Sequence, residues 1–300
     1  MNKIIYVKCS DSRSEKFALR TSIELTDEGK KIIRKSASFE EGKAHIKNIN
    51  KNYESLLLRY KDSELNIQKC KMEGETITFE YAEGESLTNI IERYLVNHDY
   101  DRIKKILLRC FELIRFNSVP SFNKTEKFKE IFGDFELSDT HPSSDKIDID
   151  MVIDNFIIDK DDNWTLIDYE WSYDFSVPVD FVVYRCIHFF YHRMSVKLFT
   201  LDELFELGNM EKNEIAIYEK MERNFQAYVS KDYSDIGRMR DIIGNKIINV
   251  YDLMESYDAG INEIKRLANE LEKTRTELNA IKNTKTWKLR NKARAIIKKS

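Results

Sequence analysis

Three hundred residues, 42% of them apolar, are enough for one large domain with an appendage or for two modest domains. The formal net charge is only −3 although 34% of the residues are charged, so the chain as a whole is not a polyanion binder. The four cysteines, Cys9, Cys70, Cys110 and Cys186, are too scattered for a zinc knuckle or a redox pair and read as reduced, buried thiols.

The opening residues, MNKIIYVKCSDS, contain no long apolar run and do not read as a secretory signal. No segment approaches the run of about eighteen apolar residues that a spanning helix needs, so a cytoplasmic protein is expected. Residues 3–8 and 16–24 have strand-like content. Asp27-Glu28-Gly29 turns the chain into a third strand, KKIIRKSAS. Residues 39–62 then become helical, with Phe39, Ala44, Ile46, Ile49, Tyr53, Leu56 and Leu57 on one side. Two further strands, 66–72 and 75–81, meet at Glu73-Gly74, and the linker Ala82-Glu83-Gly84-Glu85 follows. Ser86 can cap a helix from Leu87. Residues 101–115 form a strongly amphipathic helix with Ile103, Ile106, Leu107, Cys110, Phe111 and Ile114 inside. Residues 116–147 are polar, with Pro120 and Pro142, and read as a poorly ordered insert or a substrate-facing excursion.

The most informative stretch comes next, IDIDMVIDNFIIDKDDNWTLIDYEW from Ile147. Two apolar segments, Phe156–Ile158 and Trp164–Ile167, flank the polar turn Asp159–Asn163, which predicts a β-hairpin. Asp150, Asn155 and Asp168 stand at its two bases. Asn and Asp supply hard oxygen ligands for Mg²⁺, and a further carboxylate can orient a hydroxyl toward phosphorus. Each also has a plain reading. Asp150 has Asp145, Asp148, Asp154 and Asp159 for neighbours, Asn155 can cap a turn, and Asp168 can be an exposed acid at a strand end. Residues 179–193 suggest a buried helix, and helical patterns continue at 200–229 and 233–256.

From Ile264 the spacing becomes a heptad, with Ile264, Leu271 and Leu278 in one column and Leu267, Thr274 and Ile281 in the other. Charged neighbours include Glu270, Lys273, Arg275 and Glu277, and Tyr257 extends the pattern backwards past Gly260. This predicts either a coiled coil that joins copies of the chain into a homo-oligomer or a single helix packed back on the core. The final residues, KTWKLRNKARAIIKKS, carry Lys285, Lys288, Arg290, Lys292, Arg294, Lys298 and Lys299 with no acid, and Trp287, Leu289, Ile296 and Ile297 are interleaved. Peripheral contact with an anionic membrane, a contact with an acidic protein and a solvated tail all fit that composition. Basic residues concentrate only there, so no nucleic acid partner is expected.

The spacing of Asp150, Asn155 and Asp168 resembles the catalytic centre of the protein-kinase-like fold, in the small-molecule branch that includes aminoglycoside and choline kinases. The phrase WTLIDYEWSYDFSVPVDFVVYR resembles the kinase domain of bacterial O-antigen chain-terminating kinase–methyltransferases. The likeness is carried by 148–185 and extends over residues 1–250. It implies an α+β, two-lobed fold, with a β-rich N-terminal lobe over 1–83 and a helical C-terminal lobe over 84–256; the heptad spacing adds a coiled-coil helix over 257–284 and the composition a basic amphipathic tail over 285–300. It implies ATP and Mg²⁺ as cofactors, Asp150 as the catalytic carboxylate, and Asn155 and Asp168 as metal ligands. Lys35 would contact the α- and β-phosphates, Glu41 would pair with Lys35, and the backbone of Glu80 and Ala82 would meet adenine. Lys30 and Lys31 compete with Lys35 for its role. The departures are Asp148 where the family has His, Asp168-Tyr169-Glu170 for Asp-Phe-Gly, and no glycine in Arg20-Thr21-Ser22-Ile23. Glu170 is either a further metal or substrate contact or half of a buried pair. The implied function is transfer of the γ-phosphoryl group to a hydroxyl of a small-molecule or glycan acceptor, such as a polysaccharide terminus, beside a polysaccharide-biosynthesis enzyme. The alternative is a pseudokinase scaffold. A glycosyltransferase fits the order of elements less well.

Overall fold

The computed structural model describes residues 2–10, 12–194, 198–230 and 250–287. The chain divides into two compact units, residues 1–233 and 234–300.

The first unit is mixed α+β, rich in strands at its N-terminal end and in helices beyond. Strands β1 (Lys3–Cys9), β2 (Leu19–Leu25) and β3 (Lys31–Ala37) form an antiparallel meander. A short 3₁₀ turn, Glu40–Gly42, leads into helix α1 (Lys43–Arg59). The face that α1 buries carries His45, Ile46, Ile49, Leu56 and Arg59, whereas Phe39 and Leu57 are exposed rather than in the expected stripe. The segment expected as one strand over 66–72 is broken into β4 (Leu65–Ile67) and β5 (Cys70–Glu73). The two pieces belong to different sheets. β5 and β6 (Thr76–Glu80) complete a five-stranded antiparallel sheet in the order β1-β2-β3-β6-β5. β4 instead pairs in parallel with β12 (Trp164–Leu166), the second arm of the hairpin. β11 (Phe156–Ile158) is the first arm, and β7 (Glu85–Ser86) closes the far edge of this second sheet.

Ser86 starts helix α2 (Leu87–Val96), its hydroxyl accepting from the Asn89 amide at 3.3 Å. Helix α3 (Tyr100–Arg115) is capped by Asp99 and buries Ile103, Leu107, Cys110, Phe111, Leu113 and Ile114. Residues 116–147 are part of the core and are not a loose insert. They contain β8 (Val119–Pro120), α4 (Glu126–Phe132), β9 (Pro142–Ser144) and β10 (Ile147–Asp148). Phe122, Phe128 and Phe132 from this stretch are buried. β10 pairs with β13 (Ser172–Tyr173), and β14 (Val177–Pro178) joins β9 and β8.

Helix α5 (Val179–Arg193) is buried over most of its length despite its β-branched residues, because burial outweighs local propensity there. The pattern over 200–229 divides at Gly208 into α6 (Leu201–Leu207) and α7 (Lys212–Val229). Of the helical pattern expected over 233–256, residues up to 249 lie outside the described residues, as does the basic tail from 288. The second unit contains helix α8 (Val250–Asn283). No helix among the described residues is long and apolar enough to cross a membrane.

Candidate active site

Lys35 sits near the end of β3, between Thr21 of β2 and Ile77 of β6 in the ladder, with its side chain buried. Burial alone would drive an ammonium toward neutrality. Asp168 and Glu170 reverse that effect and raise the Lys35 pKa above the ordinary lysine range. Lys35 is hydrogen-bonded to Asp168 and lies 3.4 Å from Glu170. Glu41 is not its counter-ion. Glu41 is exposed in the 3₁₀ turn before α1, and the role expected of it falls to Glu170, two residues beyond Asp168. Of the competing lysines, Lys30 pairs with Glu28 and Lys31 lies over the Tyr81 ring.

Glu170 also meets Arg13, at 2.6 Å. Its burial favours the neutral acid, but Lys35 and then Arg13 overcome this and hold the carboxyl at a pKa of about 2. Arg13 comes from the connection between β1 and β2, where no glycine cradle stands, and its guanidinium packs over Trp171 at 5.1 Å. Nothing in the sequence singles it out, since it lies in a short serine-rich turn without periodicity.

Asp168 follows β12 and is held at φ 55°, a left-handed conformation that a non-glycine residue adopts at a cost. Its carboxylate is 43% exposed, so it faces the open side of the site even while it touches Lys35. The Ile167 amide donates to the Asn155 carbonyl at 2.9 Å, which brings Asn155 beside the end of β12. Asn155 ends a second 3₁₀ turn, Ile153–Asn155. Its side-chain amide donates to the Asp150 carbonyl at 2.8 Å and to the Asp150 carboxylate at 3.2 Å. That leaves the Asn155 Oδ1 uncommitted among the described residues. Asp168, with an exposed carboxylate, and Asn155, with a free amide oxygen, are hard oxygen donors of the kind that suits Mg²⁺. The residues therefore fit the ion.

Asp150 is braced by a second buried cation. Arg185 of α5 donates from Nη2 to Asp150 Oδ1 at 2.8 Å and from Nε to the Ile149 carbonyl at 2.8 Å, and its Nη1 bonds Glu222 of α7. Burial raises the Asp150 pKa, and Arg185 works against that rise. An arginine inside the apolar run VDFVVYRCIHFF is a sequence signal for such a buried pair, because arginine is almost never buried alone. Asp148 is fully buried, and burial followed by the nearby Asp150 pushes its carboxyl well above the usual range. Both effects favour its neutral form, and Ser172 Oγ lies 3.4 Å from its Oδ1.

Tyr169 turns inward from the site. It is buried between Tyr53 and Phe79 and donates its hydroxyl to the Gln68 carbonyl at 2.7 Å. In the linker, the Glu80 backbone is already hydrogen-bonded within the protein. Its amide donates to the Lys69 carbonyl at 3.0 Å, and its own carbonyl accepts from Gln68 Nε2 at 2.9 Å. Ala82 takes no backbone hydrogen bond among the described residues, so of the two expected linker contacts only Ala82 has a free donor and acceptor. A cavity of about 380 Å³ reaches Glu170 from beside α1, lined by His45, Asn52, Glu170 and Trp171 among others, and Asp150, Asn155 and Asp168 lie outside it.

The arrangement can hold an oxygen-ligated divalent ion, neutralise phosphate oxygens with Lys35, and present an anchored carboxylate at Asp150 to a hydroxyl. No family model and no curated protein matches the chain. Among solved structures, it is similar to a macrolide 2'-phosphotransferase type I, at 10% identity over 74% of this chain and 85% of that one, with a TM-score of 0.39. It is similar to the Rio2 kinase of Chaetomium thermophilum in its ADP/Mg²⁺-phosphoaspartate complex, at 12% identity, 75% and 70% coverage and a TM-score of 0.33. A macrolide 2'-phosphotransferase of Brachybacterium faecium gives 7% identity, 77% and 80% coverage and a TM-score of 0.32. At these scores the likenesses carry no argument, and the reading of the site rests on its own geometry.

Proposed function

We propose that this protein is an ATP-dependent phosphotransferase that moves the γ-phosphoryl group onto a hydroxyl of a sugar or of a cell-surface polysaccharide terminus. The observation that supports this reading is the meeting of Lys35 with Asp168, beside the bonded pair Asn155–Asp150. Mg²⁺, when bound, would neutralise the phosphate oxygens as charge shifts toward the leaving group. Asp168 and Asn155 would hold it through side-chain oxygens. Lys35 would turn from Asp168 toward the α- and β-phosphates while Glu170 keeps its ammonium charged. Asp150, fixed by Arg185, would accept a hydrogen bond from the acceptor hydroxyl and take its proton as the new O–P bond forms and the bond from the γ-phosphorus to the bridging oxygen breaks, releasing ADP. Transfer of this kind needs positioning more than a strong base, so an ordinary carboxylate suffices. The choice of a glycan acceptor rests on the resemblance of the phrase over 164–185.

A second reading, a nucleotide-binding scaffold for an envelope-glycan complex, draws on the Lys35–Asp168 pair. An ion at Asp168 has to compete with that ammonium, and a protein without turnover could leave the pair intact. Calorimetry with Mg²⁺-ATP, paired with radiolabelled ATP and a panel of glycans, separates the two. Asp168→Asn is expected to lose metal-dependent binding. Asp150→Ala is expected to bind normally but to turn over about 10²–10⁴-fold more slowly. Unchanged Mg²⁺-ATP affinity in Asp168→Asn overturns the proposed site. Tight binding by the wild type without transfer to any glycan favours the scaffold.

A further inference from the structure

Helix α8 leaves an apolar seam in water. Ile264 and Leu271 are 68% and 71% exposed, and Leu267, Leu278 and Ile281 are also exposed. Scattered exposed apolar residues need no explanation, but five on one heptad seam of a single helix do. A straight α-helix repeats every 3.6 residues, so a strict seven-residue repeat faces one partner only if two helices wind about each other. The seam therefore fits another helix of the same repeat.

The charges beside the seam say which helix and in which direction. With Ile264, Leu271 and Leu278 at a and Leu267, Thr274 and Ile281 at d, the g positions are Glu263, Glu270 and Glu277. The e positions are Ala268, Arg275 and Lys282. All three g residues are acidic, and both charged e residues are basic. In a parallel, in-register pair each g residue lies against the e residue of the following heptad on the other helix. Glu270 then meets Arg275, and Glu277 meets Lys282, twice over by symmetry. An antiparallel pair sets g against g and e against e, which places glutamate on glutamate and cation on cation. Within one chain Glu270 takes Arg266 at 2.7 Å, a contact on its own helix that competes only weakly.

We propose that α8 associates with the α8 of a second copy of this chain as a parallel, in-register coiled coil, its direction set by the Glu270–Arg275 and Glu277–Lys282 pairs. This is independent of the phosphotransfer reading. The Thr274 layer, polar on both helices, meets itself in that register and would mark the alignment, as single polar core positions do.

The test uses the full chain. Sedimentation equilibrium of the wild type at high micromolar concentration should give a mass of at least two chains. Glu270→Lys with Glu277→Lys should shift it to the single-chain mass, as should Arg275→Glu with Lys282→Glu. An equimolar mixture of the two variants should associate again. All four positions are exposed, so the substitutions leave folding intact, and circular dichroism verifies this. Direction is read by Ile281→Cys in a Cys9→Ser background, where mild oxidation should link chains through position 281. A wild type that stays single-chain, charge variants that associate as the wild type does, or association without the 281 crosslink would each overturn the proposal.

Discussion

His45 is a titratable group buried where protonation is costly. It packs against Phe17 at 5.2 Å and Trp171 at 5.0 Å between ring centres, and its Nε2 has no hydrogen-bond partner among the described residues. Burial, the dominant cause, lowers its pKa to about 4, with Arg13 and Lys35 also disfavouring a second positive charge. The unfolded chain would bind a proton near pH 6.5, so between pH 6.5 and 4 the unfolded state holds more protons and stability falls as pH falls. The loss from this one side chain is about 3 kcal/mol by pH 4, and it is absent above pH 6.5. Chemical denaturation of His45→Phe and the wild type across that range should show the variant losing less stability on acidification. Parallel curves would refute the assignment. At this scale the sequence was informative where spacing carries the chemistry. The nearness of Asp150, Asn155 and Asp168 was readable because a hairpin fixes its own ends, and the structure brings Lys35 of the third strand to Asp168. The counter-ion of Lys35 was not legible. Glu41 and Glu170 are both plausible by composition, and only the fold decides which carboxylate reaches an ammonium on β3.

The elements themselves turn on a few places where the backbone has no choice. Gly84 precedes β7 with φ +143°, and a Cβ there would lie 2.4 Å from the Ile158 carbonyl oxygen. The pairing of β7 with β11 requires that approach. Gly84→Ala should therefore cost about 1–3 kcal/mol through backbone strain, and more if the strand edge opens. Thermal unfolding of the variant should show a clearly lower midpoint, and an unchanged midpoint would mean that the linker relaxes freely. Most boundaries followed from local signals such as the Ser86 cap and the Asp159–Asn163 turn. The break between β4 and β5 did not. LNI and CKME read with the same alternation, and what separates them is a partner strand far along the chain. Residues 116–147 misled for a related reason, since the phenylalanines that fill a core, Phe122, Phe128 and Phe132, stand in a polar stretch without a sustained period.

On the scale of the whole molecule, the buried apolar residues among the described residues run from Ala18 to Val229. The first unit accordingly holds its own core. A chain ending at Ser230 should unfold cooperatively at nearly the full-length midpoint and keep any Mg²⁺-ATP affinity, which calorimetry can check in one preparation. Loss of the cooperative transition would show that the second unit supports the first. The parallel pairing of β4 with β12 carries a further consequence, for the order in which the protein comes into being. Tyr169 reaches Gln68 across 101 positions and Lys35 reaches Asp168 across 133. Contacts that span so much chain close late, because the intervening loop must lose its freedom before they add any stabilisation. The N-terminal meander and the hairpin can each form from neighbours alone, but neither one contains a site. On a growing chain Lys35 would wait, with no partner at Asp168, until the hairpin had been synthesised and β4 had docked beside it. Any function that needs Lys35 beside Asp168, the proposed nucleotide binding included, would be among the last properties to appear, and its onset in a refolding experiment would time the closure of the β4–β12 ladder.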